Sequence, residues 1–143
     1  MIKLIIFDLD GVLVKTKKTH YKAFNLALKK NRVNYQISFN EHIKSFEGLP
    51  TKEKINILIK ENKVNKKLSN KIYLDKQILT AKLLKKEVRY NHKIFELFKK
   101  MKKKFSIAIA TNSINSTLKT CIKNLKIQKY VDFSIGTNQI KYT

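Results

Sequence analysis

The chain has 143 residues, 43% of them hydrophobic and 29% charged, and its 32 Lys and Arg against 10 Asp and Glu give a formal net charge of +22. This length suits one domain with or without an insertion, and the apolar fraction is large enough for a folded core. Apolar runs are too short to span a bilayer, and Asp8 and Asp10 interrupt the apolar start, which argues against a signal peptide. One cysteine, Cys121, excludes an internal disulfide and a cysteine-based metal site. We therefore expect a soluble cytoplasmic protein without a membrane partner.

The positive charge first suggests a nucleic-acid partner, because basic surfaces attract phosphate without sequence specificity. Nearly all the basic residues are lysines, however, and arginine, present here only as Arg32 and Arg89, is the better bidentate ligand for bases and phosphates. The chain is also rich in Ile and Asn and contains only 3 Gly and 1 Pro. An AT-rich coding sequence produces this combination, so we attribute the charge to composition rather than to nucleic-acid binding.

Three short apolar runs are predicted to be buried strands, because each is followed by polar or turn-forming residues. They span 2–7, 105–110 and 131–135. Almost a hundred residues with helical periodicity separate the first two strands. This order predicts an α/β fold, in which a parallel sheet carries a helical insertion after its first strand.

The helical residues divide at recognisable start and stop signals. We expect a helix capped by Thr19 that ends near Asn31, a short amphipathic segment at 39–46, and a helix capped by Thr51 that ends near Asn62. Three further helices are predicted at 69–87, 92–103 and 114–126.

Polar residues follow two of the predicted strands, at the edge of a parallel sheet where ligands bind. Asp8 and Asp10 follow the first strand, and two carboxylates this close repel each other unless a cation or a proton lies between them. A divalent ion such as Mg²⁺ relieves that repulsion, and one carboxylate can then act as a nucleophile and the other as an acid/base. The spacing alone fits such a pair and two solvated acids equally well.

The second strand ends at Thr111, Asn112 and Ser113, which lead into a helix. A hydroxyl and free backbone amides at a helix N-terminus form an anion site, although simple N-capping by Thr111 or Ser113 explains these residues better on its own. Acids and a metal at one strand end, with anion-binding donors at the next, are what phosphoryl transfer requires.

The segment FDLDGVLV at 7–14 closely resembles the first motif of the haloacid dehalogenase-like hydrolases, in the subgroup of phosphatases and β-phosphoglucomutase-like enzymes. The segment IAIATNS at 107–113 resembles their second motif, and the helical block resembles the cap that they insert after the first strand. The resemblance covers the whole chain in order and spacing. It implies a discontinuous, incomplete Rossmann-like core at 1–14 and 89–143, with a helical cap at 15–88.

The resemblance also implies a magnesium-dependent phosphatase whose substrate is a small phosphorylated metabolite such as a sugar phosphate. Asp8 is then the nucleophile that forms an aspartyl-phosphate, Asp10 is the general acid/base, and Asp8 and the main-chain carbonyl of Asp10 bind Mg²⁺. Thr111 and the Asn112 amide bind the phosphoryl group. Further candidates near the acid/base or in the substrate-selecting cap loop are Thr16, His20, Lys44, Gly48 and Lys52.

Two departures from the family pattern leave alternatives open. The cap loop lacks the Arg that β-phosphoglucomutases place there, which favours a phosphatase over a phosphomutase. Lys141 lies about three positions too early for the third-motif Lys and has no Pro behind it, and the acidic pair of the fourth motif has no counterpart. The alternative is an incomplete, weakly active or non-catalytic fragment, whose exposed sheet edge pairs with a complementing chain or in a dimer.

Overall fold

A computed structural model describes residues 2–137, and the three predicted strands form one parallel sheet there. In the order in which they lie side by side, the strands are β1 (Leu4–Asp8), β2 (Ser106–Thr111) and β3 (Phe133–Gly136). The register places Asp8 of β1 beside Ala110 of β2, so the carboxyl ends of the strands meet at one edge of the sheet. The predicted α/β fold is confirmed, although each strand begins and ends one or two residues later than expected.

Helices fill the interval between β1 and β2 and the connection to β3. Within residues 2–137 they are α1 (Lys17–Lys30), α2 (Phe39–Glu41), α3 (Thr51–Lys60), α4 (Ser69–Glu87), α5 (His92–Met101) and α6 (Asn115–Leu125). A π-helical turn, His42–Phe46, continues α2, and 3₁₀ turns lie at Lys66–Leu68 and Gln128–Tyr130. None of these helices is long and apolar enough to cross a membrane.

Both predicted N-caps are wrong. Thr19 lies inside α1, which begins at Lys17, and its side chain is buried. Thr51 is the first helical residue of α3, and Pro50 occupies the N-cap position. Proline suits the start of a helix because its missing N–H would have had no intrahelical partner there.

The chain divides into two compact units. The sheet unit comprises the residues up to Thr16 and from Leu84 onward, and the helical unit comprises Lys17–Leu83. In the sheet unit, α5 and α6 pack on one face of the sheet, where Phe98 of α5 is fully buried with Ile107 and Ile109 of β2.

The helical unit has its own apolar core, which draws on α1, the π-helical turn, α3 and α4. Its members with the least exposure are Phe24, Ala27, Leu28, Ile37, Phe46, Ile55, Leu58 and Ile72. Asp75 of α4 accepts hydrogen bonds from Lys30 Nζ at 2.6 Å and from Asn31 Nδ2 at 2.8 Å, which ties α4 to the end of α1. The Lys30 hydrogen bond, followed by that of Asn31, lowers the pKa of Asp75.

The face of the sheet that α5 and α6 do not cover carries exposed apolar side chains. Leu4, Ile6 and Phe133 expose 50%, 61% and 62% of their surface. Ile6 and Phe133 lie on either side of Ala108 in one row across the three strands. β1 is also an edge strand within the described part of the chain, because its only sheet neighbour there is β2. The sheet unit therefore presents an apolar surface beside an unpaired strand edge.

Replacing Phe98 by Ala tests whether α5 anchors the sheet unit. Phe98 is fully buried, and its ring stacks on Phe7 with 4.9 Å between the ring centroids. We expect Phe98→Ala to lower the free energy of unfolding by about 3–5 kcal/mol in urea titrations followed by circular dichroism. The control Leu97→Ala removes a side chain of the same helix that is 45% exposed, and we expect a loss of about 1 kcal/mol or less. Equal losses for the two variants would contradict this packing.

Candidate active site

Asp10 is the centre of a hydrogen-bonded cluster at the carboxyl edge of the sheet. Thr16 Oγ1 donates to Asp10 Oδ1 at 2.5 Å, and Asp10 Oδ2 accepts from Thr111 Oγ1 at 3.1 Å and from Ser113 Oγ at 2.7 Å. Hydrogen bonds to a charged acceptor are among the stronger ones in proteins. The three hydroxyls therefore hold the carboxylate in one place, although they come from segments about a hundred residues apart in sequence.

A tight loop after β1 presents Asp10 to these donors. The N–H groups of Leu13 and Val14 both donate to the carbonyl of Leu9 at 3.0 Å, and Gly11 N–H donates to the carbonyl of Val14 at 2.8 Å. Gly11 has a φ of +85°, which favours glycine. Leu9, Leu13 and Val14 are buried in the core of the sheet unit, so apolar contacts anchor the loop from both ends.

Asp8 is the last residue of β1 and is exposed. Its Oδ1 accepts a hydrogen bond of 2.7 Å from the N–H of Leu9, which orients the carboxylate. Within residues 2–137 its second oxygen has no hydrogen-bond partner, and the residue as a whole is exposed to solvent.

The loop after β2 supplies the remaining hydroxyls. Thr111 is 8% exposed, and its Oγ1 accepts the N–H of Ser113 at 3.1 Å while donating to Asp10. The alternative role considered above for Thr111 and Ser113, as N-caps, is wrong, because Ile114 is the N-cap of α6 and makes no side-chain capping bond. Asn112, between the two hydroxyl residues, is exposed.

Gly136 holds this loop against the end of β3. A Cβ at this position would lie 2.8 Å from Ser113 O and 2.8 Å from Asn115 N, closer than real Cβ atoms come to backbone. The N–H of Thr137 also donates to the carbonyl of Ser113 at 3.1 Å. The end of β3 therefore fixes the backbone that presents Ser113 to Asp10.

The chemistry of the oxygen donors at this edge fits a magnesium ion. The Asp8 carboxylate and the main-chain carbonyl of Asp10 offer hard oxygen donors, and Mg²⁺ commonly takes one or two carboxylates and fills the rest of its shell with water and substrate phosphate. Among residues 2–137, no three His, Cys, Asp or Glu side chains are grouped closely enough to hold a metal.

Each predicted site residue that the structure describes belongs to one of the two units. The sheet unit holds Asp8, Asp10, Thr16, Thr111 and Asn112, and the helical unit holds His20, Lys44, Gly48 and Lys52. The structure brings Asp10, Thr16 and Thr111 into direct contact. The third-motif candidate Lys141 lies outside the described residues.

In the helical unit, the predicted residues have different surroundings. His20 of α1 has its Nδ1 at 3.4 Å from Lys76 Nζ. Lys44 is exposed in the π-helical turn, and Gly48 adopts a φ of +78° in the loop before α3. Lys52 is exposed, with its Nζ 5.7 Å from the ring centroid of Tyr73.

Sequence analysis did not predict the surroundings of three polar residues. Ser113 donates directly to Asp10, and its position two residues after Thr111 was the sequence feature that could have indicated this contact. His42 and Lys54 are polar yet buried in the helical unit. Lys54 lies one helical turn before the buried Leu58, so its position on the apolar face of α3 could have marked it.

Comparisons with known proteins agree with this architecture. Residues 5–143 match the model of the family described as haloacid dehalogenase-like hydrolase. The chain is 25% identical over 141 residues to the phosphorylated carbohydrates phosphatase of Thermotoga maritima, an alignment that covers 96% of this chain and 62% of that protein. The chain therefore spans less than two thirds of the length of this curated relative.

Solved structures share the fold. CbbY from Rhodobacter sphaeroides, in complex with xylulose-(1,5)bisphosphate, superposes with a TM-score of 0.81 at 18% identity, over 100% of this chain and 67% of that one. β-Phosphoglucomutase from Clostridium difficile gives a TM-score of 0.73 at 22% identity, over 100% of this chain and 65% of that one. The family model matches residues 5–143, which include the motif around Asp8 and Asp10. The chain belongs to the haloacid dehalogenase-like hydrolases.

Proposed function

We propose that this protein is a magnesium-dependent phosphatase that acts on a small phosphorylated metabolite, such as a sugar phosphate. The observation that carries the proposal is the cluster in which three hydroxyls hold Asp10, two residues from the exposed Asp8. Family membership and the similarity to a phosphatase of phosphorylated carbohydrates support the same activity. The absence of Arg from residues 33–88 favours transfer of the phosphoryl group to water over a phosphomutase reaction.

In the proposed reaction, the second oxygen of Asp8 attacks phosphorus, and the bond between phosphorus and the leaving alcohol breaks as the aspartyl-phosphate forms. Asp10 enters this step protonated and donates its proton to the leaving alkoxide. Asp10, now a carboxylate, takes a proton from water as the water oxygen attacks phosphorus, and the bond between phosphorus and Asp8 breaks. One water is consumed, one alcohol and one phosphate are released, and both carboxyl groups return to their starting states.

Thr111 links phosphate binding to the position of Asp10. Its single hydroxyl hydrogen is donated to Asp10 in the structure, and in the proposed complex it is donated to a phosphoryl oxygen beside the Asn112 amide. Thr16 and Ser113 still hold Asp10 when Thr111 is withdrawn. Substrate binding therefore loosens one of the three restraints on the acid/base without releasing it.

Magnesium, held by Asp8 and the main-chain carbonyl of Asp10, would supply positive charge to the transferring phosphoryl group. We further propose that the helical unit is the cap that selects the substrate, within the expected bounds 15–88. The expected core, 1–14 and 89–143, then carries the chemistry. Thr16 belongs to the sheet unit, consistent with its contact to Asp10.

A second candidate function is that of a fragment that needs a complementing chain. The exposed Leu4, Ile6 and Phe133 and the edge of β1 support it, because natural sheets normally cover or pair such surfaces. The proposed occupant is a complementing chain that pairs with the edge of β1 and covers these apolar side chains.

Asp8→Asn tests the nucleophile. Asn keeps the Oδ1 acceptor for the Leu9 N–H but cannot form an acyl phosphate, so we expect release of p-nitrophenol from p-nitrophenyl phosphate to fall at least about a hundredfold. Circular dichroism should show an unchanged fold. The control Glu96→Gln removes a half-exposed carboxylate of α5 and should keep the rate of the parent chain. Full activity in Asp8→Asn would disprove the mechanism.

Magnesium with beryllofluoride separates the two candidate functions without relying on turnover. Beryllofluoride occupies the place of a phosphoryl group on a carboxylate, so at saturating concentration we expect it to raise the thermal unfolding midpoint by about 5 °C. Asp8→Asn should abolish the shift, and magnesium alone should produce a smaller one. Absence of any shift in a folded parent chain would favour the fragment that needs a partner.

A further inference from the structure

Ser113 is a buried serine in the loop after β2, and each of its polar groups has a partner. Its N–H donates to Thr111 Oγ1 at 3.1 Å, and its carbonyl accepts the N–H of Thr137 at 3.1 Å. Its hydroxyl donates to Asp10 Oδ2 at 2.7 Å, and the residue is 9% exposed. The two backbone hydrogen bonds fix the point from which the hydroxyl reaches Asp10, so the fold of the loop sets the direction of this donor.

The carboxyl group of Asp10 needs a restraint on each oxygen to keep one orientation. The torsion that turns an aspartate carboxyl group has only broad minima, so a single hydrogen bond lets the group pivot on the bonded oxygen. Thr16 restrains Oδ1, and Thr111 and Ser113 restrain Oδ2. In the proposed complex, Thr111 donates to the phosphoryl group instead. Of the three hydroxyls, Ser113 is then the one that still donates to Oδ2.

Proton transfer from Asp10 depends on that orientation. As the bond from phosphorus to the leaving oxygen breaks and the bond to Asp8 forms, the proton of Asp10 has to lie toward the leaving oxygen. A protonated carboxyl group keeps acceptor lone pairs, so the Ser113 hydroxyl can donate to Asp10 in this state as well as to the carboxylate. The restraint therefore persists through both halves of the proposed reaction.

We propose that Ser113 is a positioning residue for Asp10, whose hydroxyl holds the carboxyl group in the orientation from which it protonates the leaving oxygen. This inference rests on the proposed function and adds a residue to it. The single hydroxyl hydrogen of Ser113 is donated to Asp10 at a shorter distance than that of Thr111. The two hydroxyls of the loop thus have separate roles: Thr111 binds the phosphoryl group, and Ser113 orients the acid/base.

Two esters of similar shape test this role, because their leaving groups differ in the need for a proton. p-Nitrophenolate is a stable anion that leaves with little help, whereas phenolate is more basic and gains more from an acid. The measured quantity is kcat/KM with magnesium, which includes the departure of the alcohol. Ser113→Ala removes the hydroxyl, Ser113→Thr keeps one, and the control Ser116→Ala removes an exposed hydroxyl in the first turn of α6.

We expect Ser113→Ala to lower kcat/KM about tenfold for phenyl phosphate and about twofold or less for p-nitrophenyl phosphate. Ser113→Thr should recover most of the lost rate, and Ser116→Ala should leave both values unchanged. Magnesium with beryllofluoride should raise the thermal unfolding midpoint of Ser113→Ala as much as that of the parent chain, because the groups that bind the phosphoryl group are intact. A general disturbance of the loop would not spare the better leaving group.

The contrary outcomes separate this inference from the proposed function. Equal losses for the two esters, or a smaller beryllofluoride shift in Ser113→Ala, would overturn the positioning role and leave the phosphatase standing. Unchanged kcat/KM for both esters in Ser113→Ala would overturn it as well. A folded parent chain that hydrolyses neither ester would contradict the proposed function and the positioning role together.

Discussion

Parallel pairing between β1 and β2 is the constraint on which the candidate site depends. The register that places Asp8 beside Ala110 brings the loops after both strands to one edge of the sheet, although a helical insertion separates them in sequence. Only this pairing allows Thr111 and Ser113 to donate to Asp10. The fully buried Ile107 and Ile109 hold β2 against its helices, so the position of the acid/base follows from the packing of the sheet.

Much of this arrangement could be predicted from the sequence, because its signals are local. Short apolar runs that end in polar residues located all three strands to within two residues, and the strand ends located Asp8, Asp10 and Thr111. The N-caps could not be located in this way. A hydroxyl such as Thr51 suits both an N-cap and a first helical residue, and the choice depended on the backbone at Pro50. The partner of Ser113 likewise depends on the approach of Gly136.

The chemistry of the helical unit was harder to predict, since lysine is abundant throughout the chain. Composition cannot distinguish a solvated lysine from a buried one, and the loop position of Lys44 and Lys52 directed attention to exposed side chains. Tertiary packing buries Lys54, because α3 turns it toward the face that buries Ile55 and Leu58, and Lys76 of α4 is buried as well. Among the described residues, the positive charge therefore has two components: a solvated surface that reflects composition, and these two buried lysines.

Direct capture of the covalent intermediate is the most decisive measurement for the sheet-edge site. The full chain would be incubated with magnesium and p-nitrophenyl phosphate, quenched in acid, and treated with borohydride, which reduces an acyl phosphate to an alcohol. Mass spectrometry of the peptides should then find homoserine at position 8 and an intact carboxyl group at Asp10. A reduced carboxyl group at another acidic residue, or turnover without any reduced residue, would contradict the assignment of Asp8 as the nucleophile.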